Sequence, residues 1–307
     1  MEEDRILKIL RENWTFKVFG IEFLRDGGGR TYIVTGEEKK FLLKIVGSAF
    51  QDTVRQSVDV MRYLVRNALP VPAVIETNLQ QPMLEISDEE QTHLFVLYEY
   101  IEGTEPDLCV CADKVGRLVG RLHKLLLNYP RELVHRDASF FIGRYIDILR
   151  KKGYPRVDTY DRLGAALWKR VENCPVSICH GDLHRGNLLE TTDGEIYLLD
   201  FDTICAAPRM FDVMVMCDMT NYFDLQLDDI KTTQKVFEAF AAGYTRYMEL
   251  TEEEKATFKD WVVIRHFQLQ ATIVEIYGLD CINHDFIDKQ LEWIENWIEQ
   301  SGAIVNA

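Results

Sequence analysis

His180-Gly181-Asp182-Leu183-His184-Arg185-Gly186-Asn187, followed by Leu199-Asp200-Phe201-Asp202, decides how this chain is read. Val176 to Cys179 is a short β-type run that leads into a polar loop holding Asp182 and Asn187 five residues apart. Leu188-Leu189 leaves the loop, Asp193-Gly194 predicts a type I′ hairpin turn, and Ile196 to Leu199 returns as a second strand. Asp200 then falls at the end of a strand beside the loop. Two carboxylates and an amide are thereby gathered, all hard oxygen donors suited to Mg²⁺. Phosphoryl transfer needs such a set: one carboxylate to take the proton of the attacking hydroxyl, an Asn and a second Asp to hold the metal that bridges the phosphates. A lone Asp or Asn in a loop is usually a turn former, so the weight lies on the paired motif at this spacing.

In protein kinases the corresponding pattern is H-R-D-L-x-x-x-N followed by D-F-G. Here it is H-G-D-L-x-x-x-N followed by D-F-D. This form resembles the aminoglycoside phosphotransferase and choline kinase family, the small-molecule relatives of protein kinases. The resemblance implies a two-lobed α+β protein-kinase-like fold, with an antiparallel-sheet N-terminal lobe and hinge over 1–103 and a mostly helical lobe over 104–307. It implies ATP, with GTP as an alternative, and Mg²⁺ as cofactors. Asp182 becomes the catalytic base, and Asn187 and Asp200 the metal ligands. His184 stands where protein kinases keep a lysine, and is a candidate phosphate or acceptor contact. An Asp at position 212 is implied to hydrogen-bond back to the catalytic loop. Read alone, Asp212 is an acid at a helix N-terminus.

Outward from that centre, the first hundred residues predict a helix near 2–13, then strand, glycine turn, strand, turn, strand, ending in Phe41-Leu42-Leu43-Lys44-Ile45-Val46. The turn Gly27-Gly28-Gly29 lacks the G-K-[ST] of a Walker A loop. By itself it is an ordinary hairpin; in the family reading its backbone at Gly28 approaches phosphate. Lys44 is the informative residue, because a lysine inside an apolar strand is costly without an anionic partner. By resemblance it grips the α- and β-phosphates, Leu42 packs on the adenine, and the Glu99 carbonyl and Ile101 N–H of the hinge Tyr98 to Gly103 bond its edge. The ordinary alternative for Lys44 is a head that snorkels to the strand edge. A helix over 51–67 follows. There the family places an acid that pairs with the strand lysine, and this chain has Ser57.

Residues 83–86 and 93–98 predict strands joined by a polar turn at 87–91. His135-Arg136-Asp137 matches the protein-kinase tripeptide, but Ile142 stands where Asn is required, so it predicts only a polar loop before a helix at 141–149. His123, on a helix over 115–127, predicts a structural role. The last third predicts helices at 231–249, 252–278 and 285–300, the second opened by a capping box at Thr251 and Glu254.

With 307 residues, 47% of them hydrophobic, the chain has ample material for a core. No apolar stretch reaches the length of a membrane helix. The acidic start and seven cysteines without a C-x-x-C pair predict a cytoplasmic protein with reduced thiols. A net charge of −15 argues against a nucleic-acid or membrane partner. Residues 213–307 carry seven basic and 17 acidic side chains, a net of −10. Solvated helix faces explain this simply; the sharper expectation is an acidic wall for a cationic small-molecule acceptor bearing a hydroxyl.

Two other classes compete. Leu199-Asp200-Phe201-Asp202-Thr203 also looks like the nucleophile motif of haloacid-dehalogenase-type phosphohydrolases, with Asp200 phosphorylated and Asp202 as acid. The missing acid at Ser57 suggests a nucleotide-binding pseudokinase. Neither accounts for Lys44, Asp182, Asn187 and Asp200 together.

Overall fold

The computed structural model describes residues 2–88 and 91–303; Met1, Glu89, Glu90 and 304–307, and with them the middle of the expected 87–91 turn, lie outside. In chain order the elements are α1 (Glu3–Asn13), β1 (Val18–Asp26), β2 (Arg30–Gly36), β3 (Lys40–Val46), α2 (Gln51–Arg66), β4 (Leu84–Ser87) and β5 (Thr92–Glu99). Then come α3 (Leu108–Leu126), α4 (Arg144–Lys152), α5 (Val157–Val171), β6 (Val176–Cys179), β7 (Leu188–Glu190), β8 (Ile196–Leu198) and β9 (Cys205–Pro208). Helices α6 (Met210–Cys217), α7 (Leu227–Tyr244), α8 (Glu252–Ala256), α9 (Phe258–Tyr277) and α10 (His284–Ser301) complete the chain. This is a two-lobed α+β architecture, with an antiparallel sheet in one part and helices dominating the other. It forms two compact units: 1–106 with 186–204, and 107–185 with 205–307.

In the first unit β1 to β5 make a five-stranded antiparallel sheet in the order β1-β2-β3-β5-β4. Strand alternation sorts β3 by face. Phe41, Leu43 and Ile45 join Tyr32, Val34, Phe95 and Leu97 in a core closed by Ile6, Ile9, Leu10 and Trp14 from α1. Leu42 and Lys44 therefore point the other way. Leu42 sits opposite Tyr98 and Lys44 opposite Val96. Helix α2 ends at Arg66, before Leu69-Pro70 is reached: Ala68 takes a left-handed backbone (φ 55°), and the Ala68 and Leu69 N–H groups donate to the Val65 and Leu64 carbonyls (3.0 and 3.1 Å), which closes the last turn.

The hairpin β7–β8 packs in the same unit. Its turn differs from the expected type I′. Gly194 is left-handed (φ 83°) but Asp193 is not, and a type I′ turn requires both. The Gly194 N–H donates to the Thr191 carbonyl (2.9 Å), and the Thr191 hydroxyl accepts from the Glu195 N–H (3.1 Å). The connection is thus a longer loop closed by a glycine, held by a threonine side chain. Thr104 and Glu190 exchange backbone hydrogen bonds of 3.0 and 2.8 Å, which brings the chain after β5 against β7. A Cβ on Gly103 would come within 2.7 Å of the Glu190 carbonyl, so glycine is required there.

In the second unit α9 is buried almost all round, from Phe258 to Val274, as expected of a central helix. Trp261 and Phe267 of α9 pack with Phe141, Tyr145, Tyr160 and Phe211. The predicted 252–278 helix is two helices, interrupted at Thr257, whose hydroxyl donates to the Glu254 carbonyl (2.7 Å). The capping box at Thr251 and Glu254 is present. Asp137 accepts from the Ser139 N–H (2.9 Å), the behaviour of a turn former ahead of a helix. The seven cysteines are free thiols. No helix among the described residues is long and apolar enough to cross a membrane.

Every ladder between named strands is antiparallel, and β8 belongs to a two-stranded hairpin. Asp200 therefore does not follow the first strand of a doubly wound sheet, the position that the phosphohydrolase reading requires.

Candidate active site

In the first unit, Leu42, Lys44, Glu99, Ile101, Asn187 and Asp200 line one cavity of about 460 Å³, together with Arg25, Ser57 and Asp202. The Leu199 N–H donates to the Asn187 carbonyl (2.9 Å), which ties the end of the loop to the residue before Asp200. Asp200 itself adopts a left-handed conformation (φ 58°), a backbone that Asp tolerates better than most residues. That bend carries the chain from β8 into the turn Phe201–Thr203.

The cavity holds alternating charges. Arg25 Nη2 lies 3.1 Å from Asp200 Oδ2, and Lys44 Nζ lies 3.6 Å from Asp200 Oδ1. Lys44 also bonds Asp202 Oδ2. The Lys44 side chain is 11% exposed, so it depends on these partners. Burial pushes the Tyr98 hydroxyl well above its ordinary pKa, and the Asp202 and Asp200 charges push it further, so it stays a neutral donor. The Asp200 carboxylate and the Asn187 amide are hard oxygen donors of the kind that suits Mg²⁺, beside two cations suited to phosphate. Gly28 lies elsewhere in this unit, in a separate depression with Gly29, Tyr32 and Ile45.

Asp182 and His184 belong to the second unit; the chain passes from one unit to the other between Arg185 and Gly186. Arg265 Nη2 donates to Asp182 Oδ1 (2.8 Å), and His184 Nε2 lies 3.6 Å from Asp182 Oδ2. Arg265 is 10% exposed in its side chain and also bonds Gln268. Its planar fork fixes the carboxylate's orientation. His184, Arg185 and Arg265 line a second-unit cavity of about 230 Å³ with Asp218, Thr220 and Tyr222. Asp218 Oδ1 accepts from the Thr220 N–H (3.0 Å) and hydroxyl (2.7 Å). Burial lifts its carboxyl to about 6 against those hydrogen bonds. The Tyr222 ring packs at a tilt of 34° against His266 (4.2 Å between centroids), which in turn packs on Trp293 (3.9 Å). Trp293 Nε1 donates to the Asn221 carbonyl (2.8 Å) and pins this cavity wall. Burial drops His266 to about 3, so the stack is neutral.

Asp212 anchors the loop that carries Asp182. Its Oδ2 accepts from the His180 N–H (2.6 Å) and its Oδ1 from the Gly181 N–H (3.0 Å). His123 Nε2 is 3.0 Å from Asp212 Oδ2, and its Nδ1 is 2.8 Å from the Tyr244 hydroxyl. His123 is thus structural, as its helical position suggested. Burial alone would raise the Asp212 carboxyl. The hydrogen bond and charge of His123, with His180 and the Gly181 N–H, outweigh it and hold the group below the usual range. Asp212→Ala, which strands His123 and two backbone donors, is expected to cost about 3–5 kcal/mol, read from chemical denaturation. The sign of the pH effect follows from the depressed folded pKa. This contribution is complete above the unfolded value and fades as pH falls through the folded one. Asp212→Ala should therefore flatten the acid limb of stability against pH.

Sequence reasoning did not find Arg25, Asp202 as a partner of Lys44, or Arg265. Arg265 carried the same signal as Lys44: a charged residue inside an apolar run, Val262-Val263-Ile264-Arg265.

A family model described as the phosphotransferase enzyme family matches residues 20–252. Among solved structures, the amicoumacin kinase hAmiN in complex with AMP-PNP, Ca²⁺ and Ami superposes with a TM-score of 0.75 at 19% identity, over 98% of this chain and 93% of that one. The microcompartment-associated aminopropanol kinase superposes with a TM-score of 0.76 at 18% identity, over 99% and 100%. Likeness at these identities is one of fold. An uncharacterized protein of Deinococcus radiodurans is 29% identical over 151 residues, 47% of this chain and 42% of its own length. The matched stretch thus spans less than half of that relative.

Proposed function

The chain belongs to the phosphotransferase enzyme family, the kinase-like group of aminoglycoside phosphotransferases and choline kinases, and on that premise we propose that it transfers the γ-phosphate of ATP to a hydroxyl of a small molecule. The observation that carries this reading is the convergence of Lys44, Asn187 and Asp200 on one cavity, lined also by Leu42, Glu99 and Ile101.

In this account Leu42 packs on the adenine, and the backbone of Glu99 and Ile101 recognises its edge. Lys44 holds the α- and β-phosphates, with Arg25 as a second cation. Asn187 and Asp200 hold Mg²⁺, which when bound neutralises charge on the phosphate oxygens. Asp182 accepts the acceptor's hydroxyl proton as that oxygen bonds to the γ-phosphorus. The bond from the γ-phosphorus to its bridging oxygen breaks, and ADP leaves. Arg265 keeps the Asp182 carboxylate aimed, and His184 contacts the phosphate or the acceptor.

The acceptor is a small hydroxylated amine. Asp218 and the Tyr222 ring in the second-unit cavity support this, because an ammonium is attracted to both a carboxylate and an aromatic face. So does the net −10 of residues 213–307. Two of the superposing proteins are named as kinases of an aminopropanol and of amicoumacin.

A screen of ADP release across amino alcohols, their diol isosteres and simple sugars tests this reading. Amino alcohols should turn over and diols should not. Asp218→Asn should raise the amine KM about tenfold, by loss of a charged partner. With burial holding Asp218 near 6, the amine KM should also climb as pH drops through that value. Turnover of the neutral alcohols alone would remove the amine assignment. Nucleotide binding with no turnover of any acceptor would favour a pseudokinase.

A further inference from the structure

At the position on α2 where the family resemblance implies an acid that orients the strand lysine, this chain has Ser57. Lys44 is nonetheless held. The geometry points to Asp202, the second acid of the D-F-D motif, as the residue that positions Lys44, the task that an acid on α2 would otherwise perform. This rests on the phosphotransferase reading for its purpose, but not for its test.

Four observations carry it. Lys44 Nζ bonds Asp202 Oδ2 directly, while Asp200 Oδ1 is more distant at 3.6 Å. Asp200 is already engaged by Arg25 at 3.1 Å. Ser57 is 1% exposed, lines the same cavity as Lys44 and Asp202, and turns its hydroxyl to Met61 Sδ (3.9 Å). Helix α2 packs directly on the turn Phe201–Thr203. The wall that a helix acid would occupy is therefore shared by Ser57 and Asp202. A short side chain at 57 leaves room for the Lys44–Asp202 pair, and a buried lysine requires one such partner. A positioned lysine presents its ammonium to a phosphate without first losing rotamer freedom.

The pair is read by the rate at which an amine-reactive reagent modifies Lys44, followed by peptide mass spectrometry on the metal-free protein without nucleotide. Asp202→Asn, which is nearly isosteric, should raise that rate about tenfold, in line with the coupling of a contacting pair. Ser57→Glu in the Asp202→Asn background should restore protection. Metal-free affinity for an ATP analogue should follow the same order, and Asp202→Asn should add nothing in a Lys44→Met background. If Asp202 served as a metal ligand instead, Asp202→Asn would leave Lys44 protection unchanged, shift only the Mg²⁺ dependence, and not be rescued by Ser57→Glu. That result, or additive losses from Lys44→Met and Asp202→Asn, would overturn the inference. Should Asp202→Asn fail to fold, Ser57→Glu in the wild-type background still decides. A second acid beside Lys44 lowers its modification only slightly if Asp202 already holds it, and strongly if Asp202 does not. The labelling needs no turnover, so a protein that proved not to be a kinase could still show the pair.

Discussion

Asp182→Asn is expected to lower turnover by about 10²–10⁴-fold, the range a positioned general base supplies, with nucleotide affinity kept. The substitution retains size and one carbonyl oxygen, so Arg265 keeps an acceptor at the 2.8 Å position. What is lost is the capacity to take a proton and the negative charge opposite Arg265. Lys44, Asn187 and Asp200 are untouched. Single-turnover kinetics with saturating acceptor separates the two quantities. Near wild-type turnover would remove Asp182 from the chemistry, and a matching loss of nucleotide affinity would make it a binding residue.

The second large effect is at Asp200. Asp200→Asn removes the charge while keeping a side chain that tolerates the left-handed backbone at φ 58°. Mg²⁺ should strengthen nucleotide binding to the wild type and fail to do so in the variant, a loss of about 10–100-fold, at least the scale seen when support of a metal ligand is removed. Metal-free affinity should hold or improve. Asp200 ties up Arg25 at 3.1 Å, and that cation is released toward the phosphates when its charge goes, while Lys44 keeps its direct bond to Asp202. Titration of nucleotide with and without Mg²⁺ reads both outcomes. Equal enhancement in variant and wild type would place the metal elsewhere.

The contrast between Lys44 and Arg265 shows how far the sequence could be read. Both are charged residues in apolar runs, and both have carboxylate partners in the structure. Lys44 was legible because the runs around it alternate as strands and the motif downstream supplied its context. Arg265 lies 83 residues from its partner on a helix buried almost all round, where periodicity marks no face. Asp202 shows the same limit at short range. Its sequence distance from Asp200 is fixed, but the bend at Asp200 decides where it points, and a left-handed Asp leaves no mark in the sequence. The hairpin turn failed for a related reason: Asp-Gly favours type I′, yet the Thr191 side chain closes a longer loop. By contrast the capping box at Thr251 rests on local chemistry, and local chemistry is what a sequence carries best, whereas the bonds of Asp212 to the catalytic loop span 31 and 32 residues and were legible only through the family resemblance.

The most direct test of the central account follows the phosphorus. With γ-labelled ATP, Mg²⁺ and an amino alcohol that supports ADP release, the label should appear as a phosphate ester on the acceptor oxygen. It should match ADP one for one and vanish with Asp182→Asn. Label released as inorganic phosphate regardless of acceptor, or trapped on Asp200 as an aspartyl-phosphate, would contradict it.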